Sequence, residues 1–276
     1  VWHKGYLWIF FNFKWYKLNN SYKKEWEDSY KREENNILYP HDEVVKFLNR
    51  FVRKKLNFKG EFKDILDFTK TVKGLDFGCG VARSAILMEE FGIESYGVDI
   101  SSNAIEKAKD NASSFGYDAL SSRLQTIDSN ELPYEDNFFD LSIAESCLDS
   151  MSFGNASALV NEISRVTKKY IYFSVISCEV NFKNKSAEDL IVESNHEFGT
   201  IQSYYDEERI IELVSHFNSE TVFIRNYTAT GASKDDLIDS RFFVVLDVSW
   251  NWCGNDKTPQ YDMRVSQHCS DYWVSK

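Results

Sequence analysis

Asp76, Gly78, Gly80 and Arg83 sit in the segment Leu75-Asp76-Phe77-Gly78-Cys79-Gly80-Val81-Ala82-Arg83, and their types and spacing are those of a ligand-binding turn. Two glycines flanking Cys79 let the backbone come close to a bound molecule. A helix starting just after them leaves N–H groups free to hold it. The spacing also separates cofactors. A dinucleotide turn calls for a third glycine three residues after the second, where the helix packs on the sheet. Arg83 stands there instead, a large charged side chain. That disfavours an NAD-dependent oxidoreductase. A second acid, Asp99, follows about 20 residues on, where a carboxylate can accept both hydroxyls of an adenosine ribose.

These residues need elements that bring them to one edge. Thr71-Val72-Lys73-Gly74-Leu75 and Phe77 read as a short buried strand, and Ser84 to Phe91 as a helix ended by Gly92. Ser95 to Asp99 reads as a second strand. A helix from about Asn103 follows, with Ile105, Ala108, Ala112 and Phe115 on one face and Gly116 as its stop. Leu120 to Ile127 and Phe138 to Ala144 are the third and fourth strands, Ala156 to Val166 a helix, and Tyr170 to Ile176 a fifth strand. Nearly continuous apolar strands mark a parallel sheet covered on both faces. Asp206 can cap a helix carrying Ile210, Ile211, Val214 and Phe217. Thr221 to Tyr227 and Arg241 to Val248 then read as an antiparallel hairpin at the sheet edge.

The pattern Asp-x-Gly-x-Gly-x-Ala resembles the first motif of the class I S-adenosylmethionine-dependent methyltransferases, with Ala82 where glycine is usual. Tyr96-Gly97-Val98-Asp99-Ile100-Ser101 resembles the second motif, and Asn137 to Glu145 the fourth. The resemblance runs from about Val72 to Leu246. It implies a doubly wound α/β, Rossmann-like fold: a seven-stranded, mostly parallel sheet closed by an antiparallel edge hairpin. It implies S-adenosylmethionine as cofactor, with Asp99 on the ribose and Ile100 against adenine. Asp128 would meet the adenine amino group, the Ile127 backbone assisting. Asp76 and the carbonyls of Glu145 and Ser146 would take the methionine ammonium, and Arg83 its carboxylate. A plain strand-end acid is the other reading of Asp99, a turn-forming acid that of Asp128, and a solvated first-turn arginine that of Arg83.

Three regions are expected: residues 1–62 as a helical arm or lid, 63–250 as the methyltransferase domain, and 251–276 as an irregular tail. Tyr22 to Arg32 reads as an exposed, charged helix, and Pro40 starts a second one. Trp26-x-x-x-Tyr30 followed by Tyr39-Pro40 is similar to the helical arm of small-molecule and cell-surface-sugar methyltransferases, where an aromatic closes over the methionine end. Alternatively, Trp26 and Tyr30, one turn apart, simply glue the arm down.

Composition narrows the partners. Hydrophobic content of 43% over 276 residues supports a substantial core. A net charge of −11 argues against a nucleic-acid backbone as partner. The five cysteines are scattered without metal-ligand spacing, His268-Cys269 included, so no metal site is expected and a reducing cytoplasm is. Val1 to Phe13 is too short and broken for a membrane span, and lacks a signal peptide's apolar run. The chain starts without Met, which reads as a trimmed or incomplete start whose first residues are not native structure.

The methyl acceptor is expected over the sheet's carboxyl edge, near Cys147 to Phe153 and the long connection from Cys178 to Tyr205. Asp149 and His196 are the candidates for the base that removes an acceptor proton. No Asn/Asp-Pro-Pro-Tyr tetrad follows the fourth strand, which turns the reading from planar nitrogens toward a small molecule or saccharide, methylated on oxygen or nitrogen. A non-catalytic cofactor-binding protein remains the alternative from another class.

Overall fold

Alternate residues of the central strands face opposite layers of helix, and this two-sided burial builds the sheet. The computed structural model describes residues 22–128, 131–180, 185–215, 219–231 and 237–249. The aromatic start Val1–Phe13 and the tail with His268-Cys269 lie outside the described residues. Helix α1 covers 22–31, and α2 (Asp42–Phe47) runs into a π-helical turn, Leu48–Val52. A small antiparallel hairpin, β1 (Arg53–Lys55) and β2 (Phe62–Asp64), follows. Then come β3 (Lys73–Phe77), α3 (Arg83–Glu90), β4 (Glu94–Asp99), α4 (Ser102–Ser114), the short α5 (Asp118–Ser121), β5 (Leu124–Thr126) and β6 (Phe139–Ala144). The chain continues through α6 (Phe153–Val166), β7 (Thr167–Ile176), β8 (Asp189–Ile191), β9 (Ile201–Ser203), α7 (Glu207–Ser215), β10 (Glu220–Thr230) and β11 (Leu237–Asp247).

The main sheet has seven strands in the order β10-β11-β7-β6-β3-β4-β5. Its pairs from β7 to β5 are parallel, whereas β11 is antiparallel to both β7 and β10. Neighbouring residues of β11 divide between the two faces: Phe242, Val244 and Leu246 join α6 and α7, while Phe243 and Val245 join α2 and α3. The chain leaves β3 toward β4 and β5, then returns to β6 on the other side. This switch point opens a crevice at the carboxyl ends of β3 and β6.

Two local expectations are corrected. The third strand is three residues long rather than eight, because Asp118–Ser121 forms a helical turn that buries Leu120 against α4. Helix α1 is docked rather than exposed: Ser29 and Tyr30 are buried, and of its charges Lys24 is turned outward while Glu27 faces the domain. Asp206 does accept from the Arg209 N–H at the start of α7, at 2.8 Å.

Candidate cofactor and acceptor site

The turn after β3 is built on left-handed backbone: φ is +68° at Gly78, +51° at Gly80 and +67° at Ala82. Ala82 therefore strains where glycine would not, at a cost of about 1–2 kcal/mol. The N–H groups of Gly78 and Cys79 donate to the Val98 carbonyl at 2.9 and 3.0 Å, tying the turn to β4. Glycine is needed here for space as well. A Cβ on Gly78 would lie 2.2 Å from Cys147 Sγ, and one on Gly80 would lie 2.5 Å from the Tyr30 hydroxyl. The backbone approach read from the sequence thus also serves the loop after β6 and the arm.

The acids of the motifs converge on this turn. Asp99 Oδ2 accepts from Gly80 N–H at 2.9 Å and Oδ1 from Ser101 N–H at 2.8 Å. Burial raises its carboxyl to about 6 against those two donors. Asp76 accepts from Ala85 N–H at 2.9 Å. Burial is the dominant influence on it; the Ala85 donor and Arg83 act the other way, and the carboxyl is pushed up to about 7. Glu145 is buried and accepts from the Tyr172 hydroxyl at 2.7 Å. Asp140, at the start of β6, is structural, receiving Lys73 N–H at 2.8 Å.

Two adjoining cavities, of about 230 and 120 Å³, occupy the crevice. Trp26, Tyr30, Gly78, Ser146 and Ser150 are walls of both. The smaller is an apolar slot of Ile100, Ile127, Met151 and Leu159 with Asp99 at its side. The larger is polar, faced by Asp76, Cys79, Arg83, Glu145, Asp149 and Glu197. Sequence reasoning places Glu197 among the residues of the Cys178–Tyr205 connection able to handle a proton or line a pocket, but misses Gln202, Asn35 and Arg241 in the walls. Arg241 did leave a signal, as a lone cation directly before an apolar run. Two expected residues stand apart. The Asp128 side chain is 73% exposed, paired with Lys23, and is not a wall of either cavity. The His196 side chain is 60% exposed and also outside the walls, because the loop turns its neighbour Glu197 inward instead.

Asp149 is 1% exposed. Its Oδ2 accepts from Ile176 N–H at 2.9 Å and from Arg241 at 3.1 Å, whereas Oδ1 has no partner. Burial raises its carboxyl, with Arg241 acting against it.

The arm is fastened by a charge. Glu27 accepts from the N–H groups of Ser102 and Asn103 at 2.7 and 3.0 Å and from the Ser101 and Ser102 hydroxyls, capping α4 from outside its own chain segment. Lys107 donates to the Tyr30 carbonyl at 2.7 Å. Burial opposes the ionisation of Glu27, but the four donors outweigh it and hold the carboxyl at about 2, below its ordinary 4.5. The contribution to docking is therefore full above pH 4.5 and is lost as pH falls toward 2. Glu27→Ala should loosen the arm by about 1 kcal/mol. Hydrogen exchange across 22–31 checks this: it should speed up in the variant and leave α6 unchanged.

Comparison with known proteins gives the family. A family described as "Methyltransferase domain" matches residues 68–225, more than half of the chain. The chain belongs to the methyltransferase domain family. A sterol 4-C-methyltransferase of Caenorhabditis elegans is 29% identical over 116 residues, 40% of this chain and 33% of that protein. An uncharacterized protein of Haemophilus influenzae is 31% identical over 102 residues, 37% of this chain and 40% of that protein. The matches thus span well under half the length of these relatives. The fold is shared with an S-adenosylmethionine-dependent methyltransferase of Methanosarcina mazei, with TM-score 0.53, 20% identity, and 64% of this chain and 92% of that one covered. It is also shared with the magnesium protoporphyrin IX methyltransferase of Synechocystis with bound S-adenosylhomocysteine: TM-score 0.52, 16% identity, and 75% and 80% covered. Among the described residues of the methyltransferase domain and its arm, no helix is long and apolar enough to cross a membrane.

Proposed function

We propose that this chain transfers a methyl group from S-adenosylmethionine to a small polar molecule or saccharide, on oxygen or nitrogen. The observation that carries the reading is the pair of adjoining cavities, one apolar and flanked by Asp99, one polar and faced by Asp76, Arg83 and Glu145. An adenosine fits the first by its chemistry: apolar walls for the base and a carboxylate for the ribose. A methionine head group fits the second, with acids for its ammonium and Arg83 for its carboxylate. Cys79 and Gly80 would supply the backbone between them, with Ile100 packing against the adenine and the Ile127 backbone assisting.

When bound, the cofactor supplies a methyl group on a positively charged sulfur. The chain's own part is to align the acceptor, exclude water and take a proton. Trp26 and Tyr30, as walls common to both cavities, support the reading of residues 1–62 as a lid on the domain spanning 63–250. Of the two bases expected, Asp149 faces the polar cavity and is assigned the role. For His196, Glu197 stands in its place. Cys79, Cys147 and Cys178 are free thiols, which supports a reducing compartment such as the cytoplasm.

Calorimetry tests the cofactor assignment. S-adenosylhomocysteine should bind saturably and NAD should give no heat. Tight NAD binding with no response to S-adenosylhomocysteine would reverse the assignment. Cofactor binding without methyl transfer to any of a broad set of acceptors would favour the non-catalytic role.

A further inference from the structure

We infer that the methyl acceptor is an amine that enters as an ammonium ion and is received by the carboxylates of Asp149 and Glu197. This rests on the methyltransferase reading above and narrows its acceptor.

The first observation is an unmade bond. Asp149 is almost wholly buried and lines the polar cavity, yet its Oδ1 has no donor. Buried carboxylate oxygens are ordinarily satisfied, so this oxygen has room for one further donor, a water or a ligand group. An ammonium has hydrogens to give and a charge that suits the site.

Charge supplies the second argument. Asp76, Glu145, Asp149 and Glu197 face the polar cavity with only Arg83 and Arg241 as cations. S-adenosylmethionine carries a sulfonium, an ammonium and a carboxylate, a net single positive charge. Burial holds Asp76, Asp149 and Glu197 above the ordinary carboxylate range, so full ionisation of the four carboxyls calls for a further cation, which a neutral sugar would not supply.

Glu197 is placed at a cost. Its backbone sits at φ +57°, unusual for a residue with a side chain. Its N–H donates to Glu34 Oε2 at 3.0 Å, linking it to the segment after α1. Strained backbone held by its surroundings is concentrated at functional sites.

The proton balance agrees. An alkyl ammonium such as that of lysine releases its proton near pH 10.4. A water-like hydroxyl holds its proton to about 15.7, far beyond a carboxylate's reach. One carboxylate takes one proton from the ammonium, and the freed nitrogen lone pair forms the C–N bond. The C–S bond breaks with its electron pair left on sulfur. The products are a methylated ammonium, a neutral thioether and one proton passed on to solvent.

The test is calorimetry on protein saturated with S-adenosylhomocysteine. It is titrated with n-butylamine, putrescine and tyramine, and with n-butanol, 1,4-butanediol and tyrosol as their hydroxyl counterparts. At least one amine should bind saturably and about tenfold or more tighter than its counterpart. Glu197→Gln and Asp149→Asn should each weaken that amine about tenfold while S-adenosylhomocysteine affinity stays within about twofold, which shows that the pocket still stands. Equal binding of amine and hydroxyl, no binding by any amine, or amine affinity unchanged in Glu197→Gln overturns the inference and leaves the cofactor reading intact. Absence of S-adenosylhomocysteine binding to the unmodified protein would remove both.

Discussion

Gly78→Ala should unfold or grossly destabilise the domain, by about 3 kcal/mol or more, while Gly116→Ala costs about 1 kcal/mol. Both glycines hold left-handed backbone, φ +68° and +82°, so the strain of adding a side chain is alike. They differ in space. The new Cβ at 78 would meet Cys147 Sγ at 2.2 Å and Cys147 Cβ at 2.8 Å, while at 116 nothing lies within 4 Å. Cys147 cannot swing clear, because its own Cβ is part of the collision. The loop after β6 would have to move, and it carries Asp149 and a wall of both cavities. Adding Cys147→Ala to Gly78→Ala removes the nearest atom and leaves the Cβ, so it should restore only part of the loss. Urea denaturation of the four proteins reads this directly. Equal penalties at 78 and 116 would show that conformation alone, not the close approach, requires glycine in the motif.

The affinity for S-adenosylhomocysteine should fall about 100-fold between pH 8 and pH 5. Asp76 is raised to about 7 in the folded chain, chiefly by burial, with Arg83 lowering it and Asp99 and Glu145 raising it. An ammonium ligand pairs with its ionised form, so binding below pH 7 must first expel a proton, a factor of about ten per pH unit. Asp99, raised to about 6, steepens the fall further at the acid end if the ribose also prefers its ionised form. The sign for stability is opposite. A carboxyl raised on folding is most easily kept protonated, so the ligand-free protein loses stability as pH climbs from 3.8 toward about 7. Calorimetry in two buffers of different ionisation enthalpy should register about one proton released at pH 6. Asp76→Asn should flatten the profile. A flat profile in the unmodified protein would mean that the ammonium rests elsewhere, with Glu145 the nearest alternative.

The cofactor half of this protein is written locally, and local features survive translation into sequence. The strand, the Gly78–Gly80 turn and the capped helix span a few consecutive residues, and Asp99 follows at a distance that one helix sets. Period and apolar runs likewise predicted the seven strands and the closing antiparallel pair, because two-sided burial leaves few polar residues in a central strand. The five-residue error in β5 arose where Leu120 is buried by a helical turn, and a lone buried leucine looks the same in either element.

The acceptor half is assembled from afar. Asp149 meets Arg241 across 92 residues, Glu197 is held by Glu34 across 163, and Glu27 caps a helix 75 residues on. No spacing rule relates such partners. Which of two adjacent residues, His196 or Glu197, faces the cavity turns on one left-handed φ that a loop imposes. Asp128 likewise reads as a cofactor acid by position, yet packing sets it outward onto Lys23. Short-range backbone geometry can be read along the chain, whereas the charges that would choose the acceptor depend on which distant segments the sheet brings to its carboxyl edge.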